Sequence, residues 1–581
     1  MYTSEKNTQI LIALMKVHGV KDIIISPGAM NHIFAASVQN DPDFKVYSCV
    51  DERSAAYMAC GIAEEKGTPV ALSCTGATAS RDYMPGLTEA YYRKLPVLAI
   101  TSLSTRQHIG QLEGQQIDRS QHQKDLVVES VYIPPIKDEK DRLVCEREIN
   151  KALLALTFNG GGPVHIDLGT YFGKINVEKL PDARAIKRYT HRDCLPQMPK
   201  GRIAVMMGVH SYINDELEKT IDSFCEAHDA IVLTPNPKSY RGKYAAGASL
   251  LFSQVNYDGP LNKMDLMIHI GEVNTDAVGF VVKPKEVWRV NEDGQIRDRY
   301  DKLTNVFQMS DLEFFRHYTV PQKTNGGGYF SDFQKADNEL REKIPALPFS
   351  NGWMMQRLAP QIPEEARVHL GILNSVRAFD YAKTPNRLLT YSNTGGFGID
   401  GTVSSLLGAA ISSPDNDFFC VIGDLAFFYD INALSNPNAC KNLHILIVNN
   451  DGGQQFRNAD HPASRMGKDV DPFVAATGHY GPKSPELIRH YVENLGIRYL
   501  TASAKEEFES VLPEFLKTGK SVVLEAFTTE KDENEAFVIL RNLIPAKKGF
   551  KPYLKKIILH YLSEKQIQSI KRFLGKLGGT K

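Results

Sequence analysis

Two short apolar runs in the last third of the chain are each followed by a cluster of polar residues. Residues 418–422 and 444–448 have the length and composition of buried β-strands, and residues 427–434 between them predict a crossover helix. A strand, a helix and a second strand at this spacing return in the parallel direction. The carboxyl ends of both strands then lie at one edge of a sheet, which is where open α/β sheets bind ligands.

The two polar clusters supply oxygen atoms that suit a hard divalent cation. Gly423 and Asp424 follow the first strand, and Asn450, Gly452 and Gly453 follow the second. A carboxylate, an amide oxygen and a backbone carbonyl are ligands for Mg²⁺, which shares its coordination shell with phosphate oxygens. The pattern predicts a magnesium and diphosphate site, with a solvated aspartate beside an ordinary turn as the alternative.

The N-terminal region also carries strands that end in small or charged residues. A buried strand at 21–25 is followed by Ser26, Pro27 and Gly28, and the next strand is followed by Glu52 at the start of an alanine-rich helix. A carboxylate at that junction can take part in chemistry. It can also simply begin the helix, because the helix dipole stabilises negative charge there.

Two further segments are polar and rich in small or amide side chains. Thr75 and Gly76 begin a Gly/Ser/Thr-rich turn that opens a helix, for which an ordinary capped helix start is the alternative. Residues 108–123 are rich in glutamine and barely apolar, so they predict a loop. Gln116, or its neighbour Gln115, is the candidate functional residue there, and a solvated loop is the alternative.

Composition describes a globular protein of several domains. The chain has 581 residues with 42% apolar content, and 68 Lys and Arg balance 68 Asp and Glu, so no net charge attracts nucleic acid or membrane. The eight cysteines are scattered without a CxxC pair, which is typical of reduced thiols. Without a signal peptide or an apolar run of about 18 residues, the sequence predicts a cytoplasmic enzyme.

Alternating strand and helix patterns predict an α/β fold with three doubly wound parallel-sheet domains. The domains are predicted at residues 1–180, 198–330 and 350–545, and a basic helical tail at 546–581 contains ten Lys or Arg and one Glu. We expect the tail to dock on its own protein, with a weak membrane or partner contact as the alternative. Whether the central domain binds a nucleotide is open.

Together these motifs resemble those of the thiamine diphosphate (ThDP) enzymes. Gly-Asp followed 26 residues later by the second Asn of an Asn-Asn pair resembles the diphosphate motif of that family, with Leu-Ala where many members have Gly-Ser. The resemblance implies that the Asp424 and Asn450 side chains and the Gly452 carbonyl ligate Mg²⁺. The cofactor-binding residues that it implies in this half are Gly423, Asp424, Leu425, Ala426, Asn450, Gly452 and Gly453.

The N-terminal block resembles the pyrimidine-binding domain of the same family. Glu52 matches the family glutamate, which hydrogen-bonds N1′ of the aminopyrimidine, so that the cofactor can lose the proton on thiazolium C2 and attack a 2-oxo acid. A buried carboxyl with a raised pKa suits that task. The resemblance also implies that Gln116 faces the cofactor. Its remaining implied cofactor contacts in this half are Ser26, Pro27, Gly28, Thr75 and Gly76.

A glycine-rich stretch between these halves allows two interpretations. Gly396-x-Gly398-x-x-Gly401 satisfies the dinucleotide fingerprint, and Asp417 lies where the acid that binds a ribose is expected, so a nicotinamide-dependent oxidoreductase is the alternative from another class. The same residues more closely resemble the menaquinone-pathway synthases, which join 2-oxoglutarate to isochorismate. In that case Gly398 and Ile399 contact the cofactor and Ile399 supports its bent shape; otherwise Ile399 is plain core.

The arginines that bind substrate in those synthases are missing from this chain. Their SPGSR, TADRP and NRG motifs are replaced by SPGAM, TSLS and NTG, and the remaining arginine position holds Phe379. Because multiply charged substrates need such donors, the loss predicts a smaller or less anionic substrate. The residues left as candidates to meet a carboxylate are His32, Arg81, Arg377, Gln455 and Arg457.

The expected function is ThDP- and Mg²⁺-dependent decarboxylation of a 2-oxo acid, with transfer of the resulting enamine to an unknown acceptor. Simple decarboxylation that releases an aldehyde is the alternative within the class, and a non-catalytic ThDP-binding protein is the alternative outside enzymology. Because the family builds each site from two subunits, the resemblance also implies a homodimer or homotetramer. No nucleic-acid partner is expected.

Overall fold

The computed structural model describes residues 1–104, 106–209, 213–236, 238–273, 278–319, 328–439, 442–479, 484–517 and 519–546. Within them the chain forms two compact units. Unit 1 comprises Met1–Leu195 and Val287–Met309, and unit 2 comprises Pro196–Glu286 and the described residues from Ser310 onward. Apart from its first residue, the predicted basic tail lies outside the described residues. The predicted domain boundaries stay predictions.

Strands and helices alternate along almost the whole described chain. The strands are β1 Tyr2–Thr3, β2 Asp22–Ile25, β3 Lys45–Ser48, β4 Val70–Thr75, β5 Val97–Leu103, β6 Glu129–Ile133, β7 Val164–Gly169, β8 Ile175–Val177, β9 Lys187–Thr190, β10 Ile203–Met207, β11 Ile231–Leu233, β12 Ala245–Ala246, β13 Lys263–Ile270, β14 Lys283–Val290, β15 Leu303–Gln308, β16 Arg367–Leu370, β17 Leu389–Tyr391, β18 Phe418–Gly423, β19 Leu443–Asn449, β20 Arg498–Ala502 and β21 Val522–Phe527.

The α-helices are α1 Lys6–Val17, α2 His32–Val38, α3 Glu52–Lys66, α4 Ala79–Asp82, α5 Met84–Arg93, α6 Glu139–Ala155, α7 Asp215–His228, α8 Ser249–Phe252, α9 Val278–Val281, α10 Asp311–Tyr318, α11 Tyr329–Arg341, α12 Asn351–Leu358, α13 Asn374–Asp380, α14 Thr402–Ser412, α15 Asp424–Tyr429, α16 Leu487–Asn494, α17 Lys505–Phe515 and α18 Glu530–Arg541. Short 3₁₀ helices lie at Arg106–His108, Phe158–Gly160, Ala359–Gln361, Ile431–Ser435, Gln454–Phe456 and Pro462–Val470.

Unit 1 is built on a six-stranded parallel sheet with the order β3-β2-β4-β5-β7-β6. Its central strands are buried along their length, because helices cover both faces. Helices α1 and α6 contribute to one apolar cluster, and α3 and α5 contribute to another. The strand order reverses direction between β2 and β4, and the crevice at such a point is a ligand-binding position in this class of fold.

Unit 2 contains a six-stranded parallel sheet with the order β17-β16-β18-β19-β21-β20. Counted along the chain, its strands follow the same order as those of the unit 1 sheet, with the second strand outermost and the first beside the third. The strand order therefore reverses between β16 and β18. Core residues of β18, β19 and α14 form one apolar cluster.

The remaining parallel strands are divided between the two units. Unit 2 holds the ladder β12-β11-β10-β13, and unit 1 holds β9, β15 and the Val287–Val290 part of β14. Unit 1 also has a small antiparallel pair, β1 with β8. The prediction of parallel-sheet α/β domains is confirmed. Among the described helices, none is both long enough and apolar enough to span a bilayer.

The predicted crossover helix at 427–434 differs from the observed structure. The chain forms α15 directly after β18 and then the 3₁₀ helix Ile431–Ser435, with Asp430 between them in a non-helical conformation. The Asp430 carboxylate accepts hydrogen bonds from the backbone N–H of Ser404, at 2.6 Å, and from its hydroxyl, at 2.5 Å. The helix is interrupted where this carboxylate satisfies the first turn of α14.

Helices α3 and α5 approach closely at Gly86, which gives a first prediction. A Cβ at Gly86 would lie 2.4 Å from the Ala56 Cβ and 2.9 Å from the Ala56 carbonyl carbon. We expect Gly86→Ala to destabilise unit 1 by about 1–3 kcal/mol through overpacking. Thermal unfolding of the cofactor-free protein measures the effect.

The matched control is Gly61→Ala on α3, where an added Cβ meets no atom within 4 Å. Alanine there should be neutral or stabilise the helix by up to about 1 kcal/mol. Equal melting temperatures for Gly86→Ala and Gly61→Ala would show that the helices do not pack as described.

Candidate functional site

Adjacent strands bring the two predicted metal-binding segments of unit 2 together. Strand β18 ends at Gly423 and α15 begins at Asp424, while Asn450 follows the end of β19. The two strands pair in parallel, with Gly423 opposite Val448. The backbone N–H of Gly452 donates a hydrogen bond of 3.0 Å to Asp424 Oδ2.

Two oxygen atoms at this point are buried without a hydrogen-bond partner. They are Oδ1 of Asp424 and Oδ1 of Asn450. Burial raises the pKa of Asp424 to about 7, because the charged carboxylate loses its contact with water. Buried acceptors without partners cost free energy, and a carboxylate with an amide oxygen is a hard-oxygen donor set. These residues therefore fit a divalent cation with bound phosphate.

The turn that carries Asn450 is fixed by neighbouring backbone and by one arginine. Gly453 N–H donates to the Ala475 carbonyl at 2.6 Å, and Gly452 has a φ of +124°. Arg457 is buried and donates to the Asn450 carbonyl at 3.2 Å. It also donates to Asp471 and to Thr477. Arg457, a candidate for substrate binding, is thus held in the scaffold of the turn.

Arg377 and Gln455, two other substrate candidates, meet in unit 2. Arg377 Nη1 donates to Gln455 Oε1 at 3.0 Å and to Asn374 Oδ1 at 2.9 Å, and its guanidinium lies 5.4 Å from the centre of the Phe537 ring. Arg377, Asn374 and the buried Glu533 line a cavity of about 30 Å³. The sequence did not predict Glu533, since nothing in α18 distinguishes it from a surface acid.

The glycine-rich stretch forms the loop between β17 and α14. Gly401, with a φ of +76°, precedes α14, while Gly398 and Ile399 are half-buried. Ile399 is therefore not a core residue. The prediction that Asp417 stands where the acid that binds a ribose is expected is wrong. Asp417 immediately precedes β18, and its carbonyl accepts from the N–H of Arg367 at the start of β16, so it lies at the amino edge of the sheet.

In unit 1 the crevice between β2 and β4 contains the predicted glycine. A Cβ at Gly28 would lie 2.8 Å from the Thr75 Cβ, so only glycine lets the two strand ends approach this closely. Ser26 is buried with an unpartnered hydroxyl, whereas Pro27 is exposed. Asn31, which the sequence gave no reason to select, donates from its side-chain amide to the carbonyls of Ser26 and Ser73, and its side-chain Oδ1 is buried without a partner.

Glu52 occupies the first position of α3. The helix is capped by Asp51, which accepts from the Ser54 N–H at 2.7 Å. Glu52 is half-buried, less enclosed than the fully buried carboxyl that the prediction assumed. Burial raises the pKa of the Cys74 thiol in β4, and the negative charge of Glu52 raises it further. The Glu52 carboxylate therefore lies near the crevice. His165 is a core histidine bonded to Ser130 and Thr101.

The glutamine-rich segment is a loop, as predicted. Gln116 Nε2 donates to Ser104 Oγ at 3.0 Å, whereas Gln115 is exposed with a φ of +66°. Arg81 Nη2 donates to the Asp118 carbonyl at 2.7 Å, which ties the loop to α4. His32, the remaining substrate candidate, is exposed and stacks on Phe172.

Two protein-family models match the chain on these two half-sites. The N-terminal TPP binding domain of thiamine pyrophosphate enzymes matches residues 6–124, and their C-terminal TPP binding domain matches residues 373–526. The chain therefore carries both the N-terminal and the C-terminal TPP binding domains of the thiamine pyrophosphate enzymes. The first match contains Glu52, Gly28 and Gln116, and the second contains Asp424 and Asn450.

Several curated relatives of this chain are named 2-succinyl-5-enolpyruvyl-6-hydroxy-3-cyclohexene-1-carboxylate synthase. The protein from Bacteroides fragilis is 28% identical over 92% of this chain and 98% of its own length. That from Phocaeicola vulgatus is 29% identical over 92% and 97%. That from Desulfotalea psychrophila is 28% identical over 89% and 97%. The predicted family and the likeness to menaquinone-pathway synthases are confirmed.

The position of Gly452 gives a second prediction. A Cβ there would lie 2.6 Å from the Ala475 carbonyl oxygen, and the φ of +124° is unfavourable for any other residue. We expect Gly452→Ala to displace the turn and to weaken ThDP binding by at least about tenfold, measured by calorimetric titration in the presence of Mg²⁺.

Gly467→Ala is the control for backbone strain alone, since its φ is +61° and an added Cβ meets no atom within 4 Å. If both variants weaken binding equally, or neither does, the turn at Gly452 does not shape the site.

The buried Glu533 gives a prediction about pH. Burial raises the pKa of Glu533 from 4.5 to about 7. Between these values the folded protein binds more protons than the unfolded chain, so stability falls as the pH rises, by roughly 3 kcal/mol in total. Glu533→Gln keeps an acceptor for the Asn351 N–H and the Thr528 hydroxyl, both at 2.8 Å.

We therefore expect Glu533→Gln to raise the melting temperature at pH 8 and to reduce its decline between pH 5 and pH 8. Glu535→Gln, an exposed change on the same helix, is the control. A decline with pH as steep in Glu533→Gln as in the unaltered protein would contradict this account.

Proposed function

We propose that the chain is a ThDP- and Mg²⁺-dependent enzyme that decarboxylates a 2-oxo acid and transfers the remaining fragment to an acceptor. The observation that carries this proposal is the pair of buried, unpartnered oxygens of Asp424 and Asn450 at adjacent strand ends. A cation at these oxygens would offset the cost of burying the Asp424 charge, and the matched domain is the C-terminal TPP binding domain of thiamine pyrophosphate enzymes.

In this proposal Asp424, Asn450 and the Gly452 carbonyl hold Mg²⁺ and, through it, the diphosphate. When bound, the cofactor supplies a nucleophilic carbon and accepts the electrons released with CO₂. Glu52 holds a proton in a hydrogen bond to N1′ of the aminopyrimidine. Ile399, half-buried in its loop, gives the cofactor apolar support.

Around the crevice in unit 1, side chains and backbone shape the place for the pyrimidine. Gly28 and Thr75 lie in van der Waals contact, and Gly76 continues the same edge. Gln116, bonded to Ser104 at this edge, is proposed to face the cofactor. Arg377 and Gln455, which already lie 3.0 Å apart, are the pair we propose for a substrate carboxylate.

Release of an aldehyde is the second candidate function, and a specific observation favours it. Three positions where the resemblance expects substrate-binding arginines hold Met30, Thr394 and Phe379, and Thr394 and Phe379 are buried. None of these three side chains is positively charged, so none can pair with an anionic acceptor. The fragment left after decarboxylation can then be protonated and released as an aldehyde. Product analysis distinguishes the two outcomes.

We propose a homodimer or homotetramer, because the family assembles each site from two subunits. The exposed apolar side chains of Tyr57 and Met58 on α3 and of Tyr92 on α5 support an interface on unit 1. Sedimentation velocity measures the assembly state, and a monomer that retains full activity would contradict this proposal.

The central experiment is CO₂ release from a panel of 2-oxo acids in the presence of ThDP and Mg²⁺. We expect at least one acid to be decarboxylated and Glu52→Gln to lower kcat on the order of 10²-fold, because proton transfer by a placed acid contributes about that much. Glu65→Gln, an exposed change on the same helix, is the matched control and should leave kcat unchanged.

Tight ThDP binding without CO₂ release from any acid would support the non-catalytic alternative instead. Full activity with 2-oxoglutarate and isochorismate would contradict the expectation of a smaller or less anionic substrate.

A further inference from the structure

A single buried carboxylate in unit 1 binds two arginines that are far from it in sequence. Asp167 is the fourth residue of β7 and is fully buried. Arg106 Nη2 donates to its Oδ2 at 3.2 Å, and Arg119 Nε donates to its Oδ1 at 3.1 Å. Each carboxylate oxygen therefore holds one guanidinium.

The two arginines stand at the two ends of the glutamine-rich loop. Arg106 begins the 3₁₀ helix Arg106–His108, and Arg119 ends the segment that contains Gln116. Between them the chain has no strand and no α-helix, and Leu112 near its middle is fully exposed. With so little packing of its own, the loop takes its position from its two ends.

The buried end of the loop lies against the predicted pyrimidine edge. Arg119 is only 2% exposed, and a Cβ on Gly76 would lie 3.2 Å from its Nη1. Gln116 is tied to Ser104, one residue beyond β5, and β5 pairs with β4 through Ser102 and Thr75. Asp167 therefore bonds the end of the loop that lies next to this edge.

The charges show why this arrangement depends on Asp167. Two guanidinium groups share one carboxylate, and the neighbouring His165 and His122 are neutral because burial lowers the pKa of each, that of His165 to about 3. Arg106 is partly exposed and also lies over the Tyr132 ring, 4.4 Å from its centre. Buried charges need their partners, so without Asp167 neither end of the loop keeps its place.

Unit 2 places a buried acid at the corresponding point of its own sheet. Glu525 is the fourth residue of β21, which holds the same position in the strand order as β7. It accepts from Asn449 Nδ2 at 2.7 Å at the end of β19, next to Asn450. In both sheets, an acid on this strand accepts a hydrogen bond from a side chain at the end of the neighbouring strand or beyond it.

We propose that Asp167 is a positioning residue that, through Arg106 and Arg119, fixes both ends of the loop 106–119 and so holds Gln116 at the carboxyl edge of unit 1. The consequence for catalysis rests on the function proposed above. The effect on the loop itself does not, because it can be measured without cofactor.

Hydrogen exchange of the cofactor-free protein tests the loop directly. Arg106→Gln removes one end and leaves the Arg119 pair with Asp167 intact. We expect the amides of Ile109 and Gln111, which donate to the Arg106 and His108 carbonyls at 3.1 Å, to exchange at least about tenfold faster, with no change in β7. Glu113→Gln is the matched control, since it removes a charge inside the loop, on the carboxylate that is hydrogen-bonded to His108 at 2.6 Å, without touching Asp167, and should change nothing.

Equal exchange in Arg106→Gln and Glu113→Gln would overturn the proposal. Asp167→Asn should release both ends and accelerate exchange through residue 119; if that variant does not fold, the comparison of Arg106→Gln with Glu113→Gln still decides.

Kinetics then test whether the loop acts through Gln116. We expect Arg106→Gln to lower kcat about tenfold while the Kd for ThDP changes less than about threefold. In a double-mutant cycle, Arg106→Gln should cost little more once Gln116→Ala is present. Additive losses, or faster exchange with unchanged kcat, would overturn the proposal.

Failure of the unaltered protein to bind ThDP would instead contradict the proposed function, while hydrogen exchange would still test the loop.

Discussion

The parallel pairing of β18 with β19 is the constraint on which the candidate site depends. It fixes the ends of two strands side by side, so that Asp424 and the turn from Asn450 to Gly453 meet at one edge. Neither segment makes a site alone, because one supplies a carboxylate and the other supplies an amide oxygen and a close-packed turn. The cost of burying the Asp424 charge is thus imposed by the sheet itself, and a cation is the group that offsets it.

The same strand order occurs in both units and is used for different chemistry. In unit 1 the third strand ends at Thr75 and Gly76, against which Gly28 packs, and the crevice is shaped by small residues. In unit 2 the third strand ends at Gly423 and is followed by Asp424, and the edge is shaped by the side-chain oxygens of Asp424 and Asn450. A shared scaffold with different strand-end residues is what a two-part cofactor requires, with a ring at one half-site and a diphosphate at the other.

Residues next to strand ends could be predicted from the sequence, and residues coupled across the fold could not. Asp424 and Asn450 follow apolar runs whose period and length reveal strands, so their meeting was predictable. Asp417 was misplaced because the spacing of a fingerprint does not say at which edge of the sheet a residue lies. Arg119 and Asp167 are 48 positions apart on a loop and a buried strand, and no local pattern links them. The same holds for Arg457, whose side-chain partners Asp471 and Thr477 lie in a later segment.

The most direct test of the central claim is isothermal titration of ThDP into the metal-free protein, with and without Mg²⁺. The account predicts tight binding of one ThDP per chain that requires Mg²⁺, because the Asp424 and Asn450 oxygens reach the diphosphate through the metal. Absence of binding in both conditions by a folded protein would contradict it, and so would equally tight binding without the metal.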